Sequence, residues 1–201
     1  MLDSMNLWEF LIKWECVLFK RHLELMDVAL TQEGVHILEK VKECQYVGDI
    51  ADCLHEELEG HEKVFYGSMI IFIYAYLEHT LNRFCEEVEH DSLIKLEDMA
   101  GKGVKRAQNY LKKVGNFKEP IQLILAKIAD MGKIRNKVVH AGGRVKNDDE
   151  DIQSCIKRLK KYGVEVNSYK ELIITKDYCE ECIQDVQRYL LELLQLNNKQ
   201  T

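Results

Sequence analysis

Apolar side chains recur at intervals of three and four along almost the whole chain, the spacing that lines one face of an α-helix. From the N-terminus, Leu7, Phe10, Leu11, Trp14 and Leu18 lead into Leu23, Met26 and Leu30, which predicts a long amphipathic first helix with a break near Gly34. A second helix is expected over 35–42, a third over 50–58 ending at Gly60, and a long one over 62–89. That last helix contains SMIIFIYAYLEH, the most apolar stretch of the chain, and is expected to be the central one. The stretch runs for about ten residues before Glu78, well short of the roughly 20 that span a bilayer, so it reads as a buried core helix.

After a polar connection, Val104 to Val114 reads as a short basic helix stopped by Gly115, and Pro120 is expected in the first turn of the next helix, where a missing N–H costs nothing. Ile121, Ile124, Leu125, Ile128, Met131 and Val138 keep helical spacing in that helix, and Gly142-Gly143 is a natural terminator. An acidic loop, NDDED, precedes a helix expected over 152–162. The segment GVEVNSYKELIIT, near 164–175, alternates and is β-branched, which points to a small hairpin or extended segment. Asp177 opens a final helix whose stripe is Val186, Tyr189, Leu190, Leu193 and Leu194. The fold class is therefore all-α: a helical bundle with one small hairpin or extended piece.

At 201 residues, with a single proline and no Pro/Gly/Ser-rich linker, the chain is expected to form one domain over 1–201. Its first fifteen residues carry Asp3, Glu9 and Glu15 and lack a basic start and a small-residue cleavage site, so they do not read as a signal peptide, and a cytoplasmic protein that does not enter the membrane is expected. Seven cysteines, an odd number, fit reduced thiols filling core space better than a disulfide framework. The net charge of −6 argues at first against nucleic acid, whose binding needs a basic face. The charge is split, however. Residues 101–161 hold 16 Lys/Arg against 6 Asp/Glu and the rest holds 12 against 28, so a +10 segment sits in a −16 background. Such a split fits a side facing a polyanion, and equally fits charge blocks that only solvate helix faces.

Within the basic segment, Arg135, Asn136 and His140 fall at the polar end of an apolar helix. Together they supply what phosphodiester cleavage without a metal requires. A guanidinium is always charged and its forked donors match phosphate oxygens. An imidazole titrates near neutral pH and exchanges a proton with a 2′-hydroxyl or a leaving 5′-oxygen. On a regular helix residues 136 and 140 share a face, whereas 135 and 140 point roughly 140° apart. Convergence of Arg135 on His140 therefore requires the helix end to fray or turn, or a second protomer to share the site. An Arg and a His at this spacing also arise by chance, commonly as part of a surface ion pair.

These residues, with the turn Tyr74-Ala75-Tyr76-Leu77-Glu78 about 55 positions earlier, make the chain resemble the HEPN superfamily. Those helical domains share an Arg-x4-6-His motif, here Arg135-Asn136-Lys137-Val138-Val139-His140, and a YxxLE-like turn. The likeness covers about 62–196, and leaves the helices of 1–60 without an assigned role. The resemblance implies a homodimer in which Arg135 and His140 of two subunits line one cleft and cut RNA without metal or other cofactor. The products would be a 2′,3′-cyclic phosphate and a 5′-hydroxyl. It further implies a toxin–antitoxin or phage-defence setting with an inhibitory partner protein. One toxin group carries a Tyr two residues after the motif His; Gly142 stands there in this chain, so adenylylation at that position is not expected. Glu78 and Asn82, one turn apart on the central helix, either orient Arg135 across the bundle or form a solvated or capping pair, and Lys133, Lys137, Arg144, Lys105 and Arg106 are candidate RNA contacts. The alternative is a non-catalytic HEPN-like dimeric module that binds RNA, a nucleotide or a partner protein.

Other constellations are weaker. Cys179-Glu-Glu-Cys182 has metal-site spacing but falls on a helix with no second Cys/His pair, so a structural role is expected. Glu33 to His36 and Glu87 to His90 match the Glu-x-x-His pattern of di-iron bundles, which Glu-rich chains produce easily. HEELEGHE over 55–62 lacks the His-Glu-x-x-His spacing of zinc proteases and reads as a solvated helix end.

Overall fold

The structure, a computed structural model, describes residues 2–43 and 47–197. Six helices dominate: α1 (Leu2–Glu43), α2 (Val47–Glu89), α3 (Gly103–Lys113), α4 (Gln122–Ala141), α5 (Glu150–Leu159) and α6 (Lys176–Asn197). A two-stranded antiparallel hairpin, β1 (Val164–Val166) and β2 (Leu172–Ile174), lies between α5 and α6. The mostly all-α bundle with one small hairpin is as the hydrophobic pattern predicts.

α2 is the central helix. It packs against α1, α3, α4 and α6, and one side of it feeds the core from Tyr66 through Met69, Ile70, Ile73, Leu77 and Leu81 to Phe84. Within it, 56–89 is long and apolar enough, by length and composition, to cross a membrane. In the bundle that segment is the core helix, and the same segment carries Glu78, Asn82 and Arg83 on its less buried sides. One connected hydrophobic cluster draws on all six helices and both strands.

The expected breaks at Gly34 and Gly60 do not occur, because α1 and α2 run continuously through both positions. A helical glycine costs only about 1 kcal/mol relative to alanine, which packing along a long helix outweighs. At Gly34 the missing side chain has a use: a Cβ there would sit 3.3 Å from Leu58 Cδ2, so the glycine admits the close approach of α2. The expected boundary near residue 60 falls inside α2.

The first helix buries the second half of the expected stripe, with Leu23 in the core and Leu30 packed against it, but not the first half. Ile12, Cys16 and Leu23 enter the core, whereas Leu7, Phe10, Leu11, Trp14 and Leu18 are exposed. α1 carries apolar side chains on two roughly opposite faces, and only one meets α2 and α6. Pro120 is also one step earlier than expected. It is buried just before the N-cap Ile121 instead of within the first turn of α4.

The end of α4 and the hairpin are joined. Gly142 terminates α4 in the left-handed region, φ 56°, and Gly143 N–H donates back to the Lys137 carbonyl at 3.1 Å. The chain then runs alongside β2: Leu172 N–H donates to the Gly143 carbonyl (2.9 Å) and Val145 N–H to that of Lys170 (2.8 Å). An isolated bridge pairs Arg144 with Glu171. Asp149 then caps α5, accepting from Ile152 N–H at 3.3 Å.

Candidate phosphate-binding site at the end of α4

α4 lies antiparallel on α2, and two glycines set how closely. A Cβ on Gly67 would stand 3.3 Å from Val138 Cγ1, and one on Gly132 would stand 2.8 Å from the Tyr74 hydroxyl. Glycine is the residue that leaves room at each crossing, and the second seats the Tyr74 ring against the α4 backbone.

That ring then receives Arg135. The guanidinium carbon lies 5.8 Å from the Tyr74 ring centre, within cation–π range. Nη1 donates to Asn136 Oδ1 at 3.0 Å, while the buried Nε has no hydrogen-bond partner. Arg135 has no carboxylate partner among the described residues. It is thus held by a ring and a neighbouring amide, and its charge is not neutralised by direct pairing.

Burial pushes the Tyr74 hydroxyl above its ordinary pKa, with the Glu78 carboxylate acting the same way and Arg135 opposing it. Tyr74, Glu78 and Arg135 therefore share one electrostatic neighbourhood across the α2–α4 contact. The Tyr74-to-Glu78 pattern marks this turn in the sequence, where the orienting role is expected of Glu78 and Asn82. Among the described residues neither hydrogen-bonds to Arg135. Glu78 Oε1 lies instead against Gly103 at the start of α3, 3.3 Å from where a Cβ would be. The missed residue is Tyr74; its signal was the tyrosine placed one turn before Glu78.

His140 is exposed in the last turn of α4 and makes no hydrogen bond or ion pair among the described residues. The helix stays regular to Ala141, so no fraying turns His140 towards Arg135. The two side chains leave α4 roughly 140° apart. Asn136, exposed like His140, shares its face of the helix.

The surrounding cations are less available than the charge split implies. Lys133 pairs with Asp151 and Lys137 with Asp149, each at 2.6 Å, and Arg144 lies 3.8 Å from Glu171, which Lys63 also contacts at 2.6 Å. The acidic loop before α5 thus folds back onto the candidate RNA contacts. Lys105 is exposed without an ion pair among the described residues, and Arg106 keeps a buried, unpartnered Nε.

Beside the last turn of α4 is a pocket of about 230 Å³, lined mainly by apolar groups including Gly67, Ile71, Val138, Leu172 and Ile174, with Lys63 at its edge. Its lining carries few polar groups among the described residues.

The remaining motifs are structural in their surroundings. Cys179 and Cys182 are buried on α6, and Cys179 Sγ donates to the Tyr66 carbonyl (3.7 Å). Burial likewise pushes the Cys16, Cys85 and Cys155 thiols up to about 12, which suits packing and not nucleophilic attack. Glu87 accepts from the Trp8 indole at 2.7 Å, and Glu33 and His36 lie mid-helix in α1. Among the described residues no three His, Cys, Asp or Glu side chains are grouped to hold a metal ion.

Comparison of the chain with protein-family models, with curated proteins and with solved structures gives no match in any of the three.

Proposed function

We propose that the protein is a cytoplasmic, metal-independent endoribonuclease of the HEPN type, acting as a homodimer with Arg135, Asn136 and His140 of two protomers around one RNA phosphate. The observation that carries the reading is the state of Arg135: a guanidinium mounted on the Tyr74 ring, without a carboxylate partner among the described residues, on the same helix as an exposed histidine. Its neighbours on the same helix, Lys133 and Lys137, are each paired with a carboxylate.

In this reading His140 takes the proton from the 2′-hydroxyl, whose oxygen attacks the adjacent phosphorus. Arg135 neutralises charge on the pentacoordinate phosphorus and Asn136 positions a phosphate oxygen. The bond from phosphorus to the 5′-oxygen breaks, that oxygen gains a proton from the second copy's His140, and a 2′,3′-cyclic phosphate and a 5′-hydroxyl result. The divergence of Arg135 and His140 on one helix is the reason two copies are required. A toxin–antitoxin or phage-defence role with an inhibitory partner protein follows from the same resemblance.

The second reading, a non-catalytic dimeric module binding RNA, a nucleotide or a protein, is favoured by the ion pairs that occupy Lys133, Lys137 and Arg144. Purified protein incubated in excess chelator with single-stranded and structured RNAs separates the two. The nuclease reading expects cleavage to cyclic phosphate ends by the native protein and a loss of at least about 100-fold in Arg135→Ala and His140→Ala, the scale of a lost acid–base or charge-stabilising group. Cleavage retained in both variants, or none by a folded dimer over the whole panel, refutes it.

A further inference from the structure

The exposed face of α1 carries a second apolar seam that the bundle leaves uncovered. It runs from Leu7 through Leu11, Trp14, Leu18, Leu25 and Val28 to Val35, at alternating intervals of four and three broken by Arg21 and Gln32. This is the heptad repeat of a coiled coil, sustained over roughly 42 Å of helix. Each of those side chains, and Phe10, Val17 and Leu38 along one flank, is 40–60 % exposed. The Phe10 and Trp14 rings stack on one another at 6.2 Å, so the patch is contiguous at that end.

The size and the charges of the seam indicate its occupant. The ten side chains expose on the order of 1,000 Å² of apolar surface, against the few hundred that a monomer ordinarily tolerates in one patch. Two such seams offer on the order of 2,000 Å², and burying most of it reaches the ~1,600 Å² of a stable interface. A parallel, in-register pair would set Arg21 against Arg21 within the seam. An antiparallel pair in which facing residue numbers sum to 46 places Leu11 opposite Val35, Leu18 opposite Val28 and Arg21 opposite Leu25, next to the second copy's Glu24. Every such pairing joins the two alternating seam positions, as antiparallel coils require, and the arginine gains a carboxylate instead of a like charge.

We propose that α1 is a dimerisation helix that pairs with α1 of a second copy in antiparallel fashion about a two-fold axis near residue 23. This α1 contact is separate from the pairing of α4 ends around one phosphate that the nuclease reading requires, so it holds whether or not the protein cleaves RNA, and its test is run without RNA and reads no cleavage.

Sedimentation equilibrium of the full chain is expected to give twice the 23.5 kDa chain mass. Leu18→Glu combined with Leu25→Glu is expected to give the single mass with an unchanged circular-dichroism spectrum, since both residues lie outside the core. Direction is read by cysteine cross-linking in a Cys44→Ser, Cys53→Ser background, with that background alone as control. Leu18→Cys and Val28→Cys proteins are expected to cross-link when mixed, and neither with itself, because identical positions lie roughly 15 Å apart along the axis. A monomeric native protein, a glutamate variant that remains dimeric, or self-cross-linking of either cysteine variant overturns the proposal.

Discussion

Gly132→Ala tests how the Arg135 platform is built, because two effects of opposite sign meet at one atom. In an open helical position the substitution stabilises by about 1 kcal/mol, through reduced chain entropy and better helix propensity. At Gly132 the new Cβ would stand 2.8 Å from the Tyr74 hydroxyl and 3.2 Å from Cε2 and Cζ of its ring. Overpacking of that kind costs about 1–3 kcal/mol. The net expectation is destabilisation of roughly 1 kcal/mol in the native background. In a Tyr74→Ala background the obstacle is gone and the same change should stabilise by about 1 kcal/mol, a coupling of roughly 2 kcal/mol between touching residues. Urea unfolding of the four proteins, followed at 222 nm, measures all three quantities. Full stabilisation by Gly132→Ala with Tyr74 present would refute the account, since the ring would then not be seated on the α4 backbone.

Three further outcomes are expected. Gly163→Ala should destabilise by more than about 2 kcal/mol in the same urea assay, since φ is 90° there and a Cβ would collide with Thr175 Oγ1 at 1.9 Å. Leu81→Ala, at a fully buried position on α2, should cost about 2–5 kcal/mol, and a loss under 1 kcal/mol would show that α2 is not the centre of the core. Asp27 is held below the ordinary carboxylate range chiefly by the Lys176 hydrogen bond, against burial and helped by the Tyr66 hydroxyl. Its folded pKa being depressed, its contribution is fully present above about pH 4 and is lost as pH falls through the folded value. Asp27→Asn should therefore lower the urea midpoint at pH 7, by a gap that narrows as pH falls below about 4; a constant gap as the solution is acidified would contradict the assignment.

The start and end of α4 and the position of the hairpin were legible because local chemistry decides them: a proline ahead of the helix, a left-handed glycine after it, and β-branched alternation beyond. The continuity of α1 and α2 was not legible. Glycine is a weak local signal, and what carries the helix through Gly34 is contact with Leu58, 24 positions away. Periodicity also could not say which of two apolar stripes on α1 is buried, since both have helical spacing. At the candidate site, the motif residues could be placed on their helix from sequence, but not their company. Tyr74 reaches Arg135 across a helix pair, and the carboxylates that claim Lys137, Lys133 and Arg144 come from residues 149, 151 and 171, brought in only by the fold.

The strand-like pairing of 143–145 with β2 governs how α4 opens. Unwinding the last turn of α4 would detach Gly143 and Val145 from Leu172 and Lys170, so the turn that bears His140 does not fray independently of the hairpin. The two form one cooperative opening unit, whose free energy is reported by hydrogen exchange at the Val145 and Leu172 amides. The exposed imidazole accordingly sits on a backbone tied to the hairpin. A ligand meeting it would encounter a preset helix end, with little ordering of backbone left to occur on binding.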